Sequence, residues 1–473
     1  MHPDRMPRSD RRRMVVCLSL VLAWSAMLAS CATATAAEPG LVIDQKMDAF
    51  LQTHLTTGRF MGSVLVARGD EVLHRAGYGM ANLELDVPMT PESVLRIASV
   101  TKQFTAAAIL QLQDQGLLDV HDPVSRHLPD YPHGDEITLH QLLNHTSGIP
   151  DFETLLASGP GFRQTMSLEA TMATFSDLPL DFPPGTQFNY SNSDYVVLAA
   201  ILEKLTGQRY ADYMAEHFFG PLGMTATGYD DPLALIPNRA AGYTWDGGAY
   251  HNAEFLDMSI PSGAGGLYST VLDLYRWDRA LYAAGMLSAE SQQAYFTPSV
   301  SLGPGQRYEG YAYGWGTLET EGRSLLAHGG GVNGFSAFVI RDPSEQLYVV
   351  VLCNVADAPV EAIATGLAAI AYGEPYEMPS ERTAVEIDPT ILERYVGEYR
   401  MSADLVIRVT AEAGHLYAQA GDQPQFELFP ESETAFFATA AELQVLFQVG
   451  PDGLVTGLIV HEGGNEITAE KMP

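Results

Sequence analysis

A serine and a lysine stand three residues apart in the segment Ser99-Val100-Thr101-Lys102, a spacing that can support nucleophilic catalysis. If the segment opens a helix, both side chains lie on one face of its first turn. A serine hydroxyl is a weak nucleophile until a base removes its proton, and a lysine whose charged form is disfavoured by burial can be that base. The pair is weak evidence by itself, because S-x-x-K occurs by chance in long sequences and a serine at a helix start is usually a cap.

A tyrosine and an asparagine in the triplet Tyr190-Ser191-Asn192 are the second candidates for chemistry. The triplet follows a proline-rich turn and leads into a helical segment, which predicts a loop whose side chains can converge on Ser99 and Lys102. The Tyr190 hydroxyl can carry a proton between Ser99 and a leaving group, and Asn192 can bind Lys102 or a substrate carbonyl. Taken alone, the triplet is better interpreted as a packed tyrosine beside a capping asparagine.

The third candidate is the run His328-Gly329-Gly330-Gly331, which follows a strand pattern. Glycines there, Gly330 among them, let a substrate backbone approach closely. The backbone N–H of Gly331 and that of Ser99, at the head of its helix, are predicted to be the two donors of an oxyanion hole. A glycine-rich turn beside an incidental histidine is the alternative, and a phosphate site is disfavoured because no P-loop lysine and serine or threonine follow.

Strand and helix patterns surround these motifs and predict the elements that must position them. Apolar runs between turn signals predict strands over residues 62–67, 72–79, 324–327, 335–340 and 347–352. Apolar residues at helical spacing predict helices over 99–115 and 194–206. Because strands at both ends enclose helices, the first part of the chain is predicted to be an α+β fold built on one sheet.

A change in the sequence pattern near residue 380 predicts a second domain. Residues 373–389 hold three prolines, several charges and little apolar periodicity, as a linker does. From residue 390 to 473, short β-rich runs alternate with turns, which is typical of a small antiparallel barrel or sandwich. These runs hold no catalytic constellation, so the chemistry is assigned to the first domain.

In this order, the three motifs resemble those of the penicillin-recognising serine hydrolases, which include class C β-lactamases, D,D-peptidases, D-aminopeptidases and esterases. The resemblance covers about residues 42–372 and includes the recurrent segments 143–148 and 263–269. It implies a β-lactamase/transpeptidase-like fold, in which an antiparallel sheet flanked by helices meets an all-α lobe at the active site. The residues from Tyr395 onward resemble the lipocalin-like β-barrel domain that often follows these hydrolases.

The resemblance also implies a role for each candidate residue. Ser99 attacks a carbonyl, Lys102 and Tyr190 exchange its proton, and water later releases the acyl group. The N–H groups of Ser99 and Gly331 stabilise the oxyanion. Asn192 orients both the substrate and Lys102.

His328 stands where most β-lactamases of this family have a lysine. A neutral or partly charged histidine is a poorer partner than lysine for the carboxylate of a β-lactam, and the H-x-G form is typical of D,D-peptidase, D-aminopeptidase and esterase members. His328, Gly330 and Asn192 together are assigned to substrate binding. His145, within the segment 143–148, is interpreted as structural and not as a partner of Ser99.

These observations favour an exported serine hydrolase that forms an acyl-enzyme at Ser99 with a D-amino-acid peptide, amide or ester. The first alternative is a class C-like β-lactamase that uses the same chemistry. The second is a non-catalytic binding or sensory lipoprotein whose C-terminal barrel holds a ligand. The presence of Lys102 and Tyr190 argues against that second alternative, because a site without catalysis would be free to lose them.

Composition limits the partners of the protein. The 473 residues carry a formal net charge of -32, which disfavours nucleic acid, because binding it requires lysines and arginines that neutralise phosphates. The 13 histidines include no H-E-x-x-H spacing, so a metal hydrolase is set aside, and neither a metal nor a cofactor is expected. A small-molecule or peptide substrate is the expected partner, and the oligomeric state is left open.

The first 30 residues are predicted to be a signal peptide. Three arginines at 11–13 precede an apolar run from Met14 to Leu28, which has about the length of a signal-peptide core and is short of a bilayer span. The same arginines loosely resemble a twin-arginine signal, so the export route stays open.

Two processing sites compete after the apolar run. Leu28-Ala29-Ser30-Cys31 resembles a bacterial lipobox, which places a lipid on Cys31, whereas Ala34-Thr35-Ala36 fits ordinary cleavage. We favour the lipobox, which leaves residues 31–41 as a tether. The protein is therefore predicted to be periplasmic or a membrane-anchored lipoprotein of the bacterial cell envelope.

Overall fold

The computed structural model describes residues 39–473, apart from 154–162, 247–248, 284, 304–305, 321, 379–383, 402–404, 413, 422–424, 439–442, 451–452, 463–464 and 473. The predicted signal peptide, most of the tether and Cys31 lie outside the described residues. Within the described part of the chain, no helix has both the length and the apolar character needed to cross a membrane.

In the part of the chain before residue 373, groups of strands near both ends enclose a largely helical stretch. Its strands are β1 (Gly62–Arg68), β2 (Glu71–Tyr78), β3 (Met80–Asn82), β4 (Val87–Pro88), β5 (Leu95–Arg96), β6 (Gly228–Tyr229), β7 (Tyr243–Trp245), β8 (Tyr250–Asn252), β9 (Leu267–Ser269), β10 (Val300–Ser301), β11 (Gly310–Tyr311), β12 (Gly316–Thr320), β13 (Arg323–Val332), β14 (Phe335–Asp342) and β15 (Leu347–Cys353). Its helices are α1 (Pro39–Thr56), α2 (Thr101–Asp114), α3 (Val124–His127), α4 (Leu139–Leu143), α5 (Leu168–Met172), α6 (Asn192–Thr206), α7 (Tyr210–Met214), α8 (Ser262–Gly265), α9 (Val271–Ala280), α10 (Ala289–Phe296) and α11 (Val360–Tyr372).

An antiparallel sheet of eight strands forms the centre of this part. The order across the sheet is β10-β11-β12-β13-β14-β15-β1-β2, so its first and last regions meet where β15 pairs with β1. The predicted strands are confirmed as β1, β2, β13, β14 and β15. Strand β13 is longer than predicted and reaches Val332, because the glycines at 329–331 pair with residues 336–338 of β14.

Successive residues of the central strands point to opposite faces of the sheet, as a pleated strand requires. Val64 and Val66 of β1 belong to a core shared with α1 and α11. Leu65 and Ala67 belong to a second core, which α9 covers. Helices on both faces of one antiparallel sheet confirm the predicted β-lactamase-like α+β fold.

Helix α2 is buried over most of its length, because it packs against α6, α8 and α10. Its apolar residues Phe104, Ala107 and Leu112 have no exposed surface, and neither has Lys102 in its first turn. The helix begins at Thr101, two residues later than predicted, because the preceding residues 98–100 form one turn of 3₁₀ helix.

Helix α6 begins earlier than predicted. Asn192 is its first residue and Ser191 occupies the N-cap position, so Asn192 belongs to the helix and not to the preceding loop. The helix ends as predicted at Gly207, whose φ of 69° is the left-handed conformation that glycine adopts readily after a helix. Its first turn therefore carries one of the predicted site residues on a rigid element.

The C-terminal part is a closed antiparallel barrel of eight strands, which decides between the predicted barrel and sandwich. The strands are β16 (Gly397–Arg400), β17 (Val406–Glu412), β18 (His415–Ala420), β19 (Phe426–Pro430), β20 (Ala435–Ala438), β21 (Leu443–Val449), β22 (Val455–Glu462) and β23 (Asn465–Lys471). Aromatic rings pack inside it. The rings of Tyr395 and Phe447 stack with centroids 4.3 Å apart, and Tyr399 and Phe436 meet Phe447 edge-on. A barrel of this strand number is wide enough for such side chains.

Candidate active site

Ser99 lies in the 3₁₀ turn directly before α2. Its neighbours Ala98 and Val100 are buried, whereas Ser99 is partly exposed and lines a cavity. Ala98 has a φ of 47°, in the left-handed region, where a non-glycine residue stores strain of about 1–3 kcal/mol. The buried neighbours and the fixed turn hold the Ser99 side chain at the surface of the cavity.

Lys102 lies one turn after Ser99. Its Nζ is 3.1 Å from Ser99 Oγ, 2.7 Å from Asn192 Oδ1 and 3.0 Å from the carbonyl oxygen of Ala264. The amide and carbonyl oxygens can only accept, so they take two N–H bonds of a neutral amine. The remaining lone pair of that amine faces the Ser99 hydroxyl, which is the arrangement of a general base beside a nucleophile.

Burial lowers the pKa of Lys102 to about 7, because the charged ammonium loses its hydration inside the protein. The carboxyl groups of Glu153, Asp151 and Asp194 oppose this shift, since a negative charge favours the ammonium. The free amine of Lys102 is therefore well populated near neutral pH, as a general base requires.

Two segments bring the acceptors to Lys102. The Nδ2 of Asn192 donates to Asp151 Oδ2 at 3.1 Å, which fixes the amide with its oxygen toward Lys102. Ala264 lies in α8, where Gly263 permits close packing: a Cβ on Gly263 would come within 2.9 Å of a side chain of α6. The segment 263–269, singled out in the sequence, thus delivers a backbone carbonyl to the site.

Tyr190 lies on the loop before α6, with its ring centroid 4.7 Å from Lys102 Nζ. Burial raises the pKa of Tyr190 well above its usual value, and a hydrogen bond with Ser99 opposes the shift. The phenol therefore stays protonated and can pass a proton on, but it is not a phenolate base at neutral pH. The structure brings Ser99, Lys102, Tyr190 and Asn192 together, and their catalytic roles stay predictions.

His328 lies in β13 with 2% of its surface exposed. Its Nδ1 donates to the carbonyl oxygen of Gly329 at 2.6 Å, and its Nε2 is 2.8 Å from the Tyr311 hydroxyl. Burial lowers the pKa of His328 to about 3, and the charge of Lys102 adds to the shift. His328 is thus a neutral part of the wall and supplies no positive charge to a substrate carboxylate.

Gly330 has no side chain and so allows β13 to pack closely against the Ser99 turn. A Cβ on Gly330 would come within 2.5 Å of the Ile97 carbonyl oxygen and 2.9 Å of the Ser99 nitrogen. Gly330 therefore accommodates that turn, and its contact with substrate stays a prediction. Gly331 differs, because a Cβ there would meet nothing within 4 Å.

The backbone N–H of Gly331 points to the side of β13 that faces the site. The N–H of Gly329 donates to the Tyr308 hydroxyl at 2.9 Å and not to β14. Residues two apart in a strand point their N–H groups to the same side, so the N–H of Gly331 points the same way as the N–H of Gly329. Gly331 and Ser99 line the same cavity. This is the placement that the predicted oxyanion hole requires, although the role itself stays a prediction.

Two carboxyl groups beside the site, Asp151 and Glu153, were not identified from the sequence. The backbone N–H of Glu153 donates to Asp151 Oδ1 at 3.0 Å. Glu153 has exposed surface, yet the surrounding protein removes water from its carboxyl group. This burial raises the pKa of Glu153 to about 7, and the charge of Asp151 adds to the shift. An acidic pair shortly after the segment 143–148 is the sequence signal that points to them.

His145 also has more partners than the sequence suggested. It is fully buried, and its ring lies against Tyr190 with centroids 4.4 Å apart. Its two ring nitrogens contact Asp194 and Tyr311. No sequence signal identified Tyr311, which is 166 residues from His145 along the chain.

A cavity of about 1290 Å³ opens beside Ser99 and extends between β13 and α11. Its wall includes apolar side chains such as Phe188 and Leu302, and an ion pair between Arg307 and Glu361 with charged atoms 2.9 Å apart. This volume exceeds that of common small-ligand pockets, so a substrate of several residues fits. In the described part of the chain, no group of three or more histidine, cysteine, aspartate or glutamate residues could hold a metal ion.

Comparison with known proteins confirms the resemblance drawn from the motifs. The family described as Beta-lactamase matches residues 43–373, and a domain of unknown function, DUF3471, matches residues 381–471. Penicillin-binding protein 4* of Bacillus subtilis (strain 168) is 32% identical to this chain over 428 residues, which are 86% of this chain and 94% of that protein.

Solved structures show the same architecture. The octameric penicillin-binding protein homologue from Pyrococcus abyssi has a TM-score of 0.65 at 25% identity, over 90% of this chain and 99% of that chain. D-amino acid amidase from Ochrobactrum anthropi SV3, in complex with D-phenylalanine, has a TM-score of 0.61 at 25% identity, over 70% and 97%. A D-stereospecific amidohydrolase from Streptomyces has a TM-score of 0.61 at 26% identity, over 70% and 99%.

We expect the reactivity of Ser99 to follow the titration of Lys102. A fluorophosphonate probe should label Ser99 at a rate that rises with pH and levels off above about pH 7, because only the free amine of Lys102 accepts the serine proton. The measurement is the labelling rate at a series of pH values, with mass spectrometry of the Ser99 peptide. Lys102→Arg is the control, since a guanidinium stays charged and should label very slowly throughout. A wild-type midpoint near that of an ordinary lysine would contradict the assignment.

We expect Gly330→Ala to slow labelling of Ser99 at least about tenfold, equivalent to about 1.4 kcal/mol, because the added methyl group displaces the Ser99 turn. Gly303→Ala is the matched control, since a Cβ at Gly303 would meet nothing within 4 Å. Circular dichroism of both variants checks that the fold is retained. Equal labelling of the two variants would show that the close approach at Gly330 does not position Ser99.

Proposed function

Because the chain belongs to the beta-lactamase family of serine hydrolases, we propose that it cleaves a D-amino-acid peptide, amide or ester through an acyl-enzyme at Ser99. The observation that carries the proposal is the 3.1 Å contact between Ser99 Oγ and the amine of Lys102, whose pKa burial lowers to about 7. A serine and a free amine in hydrogen-bond reach form an activated nucleophile.

In the proposed reaction, Ser99 Oγ attacks the substrate carbonyl carbon while its proton passes to Lys102. The N–H groups of Ser99 and Gly331 hold the negative oxygen of the tetrahedral intermediate. Tyr190 gives its proton to the leaving amine or alcohol and regains one from Lys102. Water then attacks the acyl-enzyme along the reverse path, which releases the acid and restores the Ser99 hydroxyl.

The charges around the site favour a substrate with an ammonium group over one with a carboxylate. Asp151 and Glu153 lie close enough to Lys102 to act on its pKa, and a bound ammonium would favour the ionised form of Glu153, whose pKa is raised to about 7. His328, which lines the cavity from β13, is neutral. Arg307, a cation that lines the same cavity, is already paired with Glu361. An amino-acid amide or a peptide with an unblocked amino terminus fits this pattern.

Two solved neighbours support the D-amino-acid part of the proposal. One is described as a D-amino acid amidase in complex with D-phenylalanine, and the other as a D-stereospecific amidohydrolase. The class C-like β-lactamase remains the first alternative. The penicillin-binding relative favours acylation of Ser99 by penicillin, whereas the neutral His328 is a poor partner for the carboxylate of a β-lactam. The non-catalytic lipoprotein is the second alternative.

We expect the protein to hydrolyse D-phenylalanine p-nitroanilide, and to hydrolyse the L-enantiomer and the N-acetylated D-compound at least about tenfold more slowly. Release of nitroaniline measures all three. Glu153→Gln should raise KM for the free-amine substrate without changing kcat/KM for the acetylated one, because only the free amine carries the charge that Glu153 attracts. The exposed Glu319→Gln is the matched control.

The same panel separates the alternatives. Ser99→Ala should lose all turnover, and equal turnover by this variant would contradict the proposed acyl-enzyme. Rapid hydrolysis of nitrocefin, with no hydrolysis of the anilide, would favour the β-lactamase. No turnover and no mass adduct on Ser99 with any compound would favour the non-catalytic lipoprotein.

We also propose that the chain is exported and anchored in the bacterial cell envelope by a lipid on Cys31. The three arginines, the apolar run and the lipobox-like residues 28–31 support this proposal. Expressed with its own leader in a Gram-negative host, the wild type should fractionate with membranes, and Cys31→Ala should not carry lipid. A mature wild-type N-terminus after residue 36, in the soluble fraction, would contradict the anchor.

A further inference from the structure

Four buried side chains connect helix α6 to strand β13 by hydrogen bonds, and we call them the buried relay: Asp194, His145, Tyr311 and His328. Asp194 Oδ2 is 3.0 Å from His145 Nδ1, and His145 Nε2 is 3.3 Å from the Tyr311 hydroxyl. That hydroxyl is 2.8 Å from His328 Nε2, and His328 Nδ1 is 2.6 Å from the carbonyl oxygen of Gly329. Each member is at most 2% exposed, so protons in the relay exchange little with solvent.

The carbonyl of Gly329 decides which atom donates in each hydrogen bond at the His328 end of the relay. A carbonyl oxygen only accepts, so His328 Nδ1 carries a proton and the neutral ring presents a lone pair at Nε2. The Tyr311 hydroxyl, 2.8 Å away, is the donor that this lone pair faces, so Tyr311 gives its single proton to His328 and not to the oxygen of Tyr195, with which it also interacts. Tyr195 does not compete as a donor, because its hydroxyl donates to the Leu143 carbonyl oxygen at 2.9 Å.

The remaining partners of His145 follow from this direction. Tyr311 offers only its oxygen to His145, so Nε2 of His145 carries a proton and donates it. Nδ1 receives the backbone N–H of Ser191 at 3.3 Å, which identifies Nδ1 as the lone pair of a neutral ring. The other neighbour of Nδ1 is Asp194 Oδ2, and a carboxyl oxygen bonds to a lone pair only when it carries a proton.

We propose that Asp194 is a neutral carboxylic acid and acts as a positioning residue: its proton completes the buried relay by holding the His145 ring, and its neutrality keeps a negative charge away from Lys102. Its effect on catalysis rests on the proposed function, whereas its protonation does not. Burial acts in the same direction, because it raises the pKa of Asp194 well above its usual value and lowers that of His145. A hydrogen bond from Ser147 to Asp194 opposes the shift.

The charge of Asp194 matters for Lys102. An ionised Asp194 would stabilise the ammonium and raise the pKa of Lys102, which would weaken it as a base near neutral pH. Besides His145, the titratable groups that face Asp194 are Lys102, Asp151, Tyr131 and Tyr195. The charge of Lys102 favours an ionised Asp194 and the charge of Asp151 disfavours it, so burial and the relay decide the protonation.

Two substitutions of Asp194 separate a neutral acid from a carboxylate. Asparagine keeps a donor for His145 Nδ1 and carries no charge, whereas alanine removes the donor. We expect Asp194→Asn to label with fluorophosphonate at least about tenfold faster than Asp194→Ala, with a pH midpoint within about half a unit of the wild type. If Asp194 is ionised, its loss should instead lower the midpoint by about one unit, because Lys102 loses a stabilising charge, and this result would overturn the proposal.

Infrared difference spectroscopy gives a readout that does not depend on activity. The spectrum of the wild type minus that of Asp194→Asn at neutral pH should contain the carbonyl stretch of a protonated carboxylic acid. Carboxylate stretches in its place would overturn the proposal. If the band is present but the wild type neither labels nor turns over any substrate, the proposed function fails and the assignment of Asp194 stands.

A second variant tests the middle of the relay. Tyr311→Phe removes the donor to His328 Nε2 and leaves the Gly329 carbonyl in place, so nitrogen NMR of labelled histidine should show the Nε2 resonance of His328 shift as its lone pair loses a hydrogen bond. Labelling of Ser99 should fall about tenfold, equivalent to about 1.4 kcal/mol. Tyr348→Phe is the matched control, since in the described part of the chain the buried Tyr348 hydroxyl has no hydrogen-bond partner. An unchanged His328 spectrum in Tyr311→Phe would overturn the relay.

Discussion

Burial of the Lys102 amine is the constraint on which the rest of the site depends. An ammonium without hydration is costly, so the pKa of Lys102 falls to about 7 and a free amine becomes available beside Ser99. A buried amine still needs acceptors, and Asn192 and Ala264 supply them at 2.7 Å and 3.0 Å. Helices α2, α6 and α8 each contribute one of these three groups. The packing of the helical lobe and the basicity of Lys102 are therefore set by the same contacts.

The sheet contributes the opposite wall of the site through β13. Pairing of β13 with β12 ends at Ala327, while pairing with β14 continues to Val332. The last residues of β13 thus turn one edge toward the cavity, where an edge strand can add hydrogen bonds to an extended ligand. Gly330 brings this edge against the Ser99 turn, because any side chain there would collide with the backbone of that turn. The distance between the sheet and the nucleophile depends on the absence of one methyl group.

The charge on each wall is decided by burial. His328 is neutral because it is buried near the charge of Lys102, and its Nδ1 proton is held by a backbone carbonyl. Asp151 and Glu153 bring carboxyl groups near Lys102, and burial raises the pKa of Glu153 to about 7, so Glu153 carries its charge only in part near neutral pH. These protonation states decide which substrate charge the site can attract, and residue types alone do not reveal them. The C-terminal barrel has an aromatic core of its own and contributes none of the described site residues.

The sequence by itself determined the features that depend on local spacing. Ser99 and Lys102 lie on one turn because residues three apart in a helix share a face, and the continuous apolar run of β1 required a strand buried on both faces. The order of the three motifs identified the family. Only the tertiary structure decided which distant groups meet: Asp194 with His145, and His145 with Tyr311, 166 residues away. It also decided the pKa of Lys102 and of His328, because a protonation state depends on the burial and the charges that folding places around a group, and no local pattern encodes these.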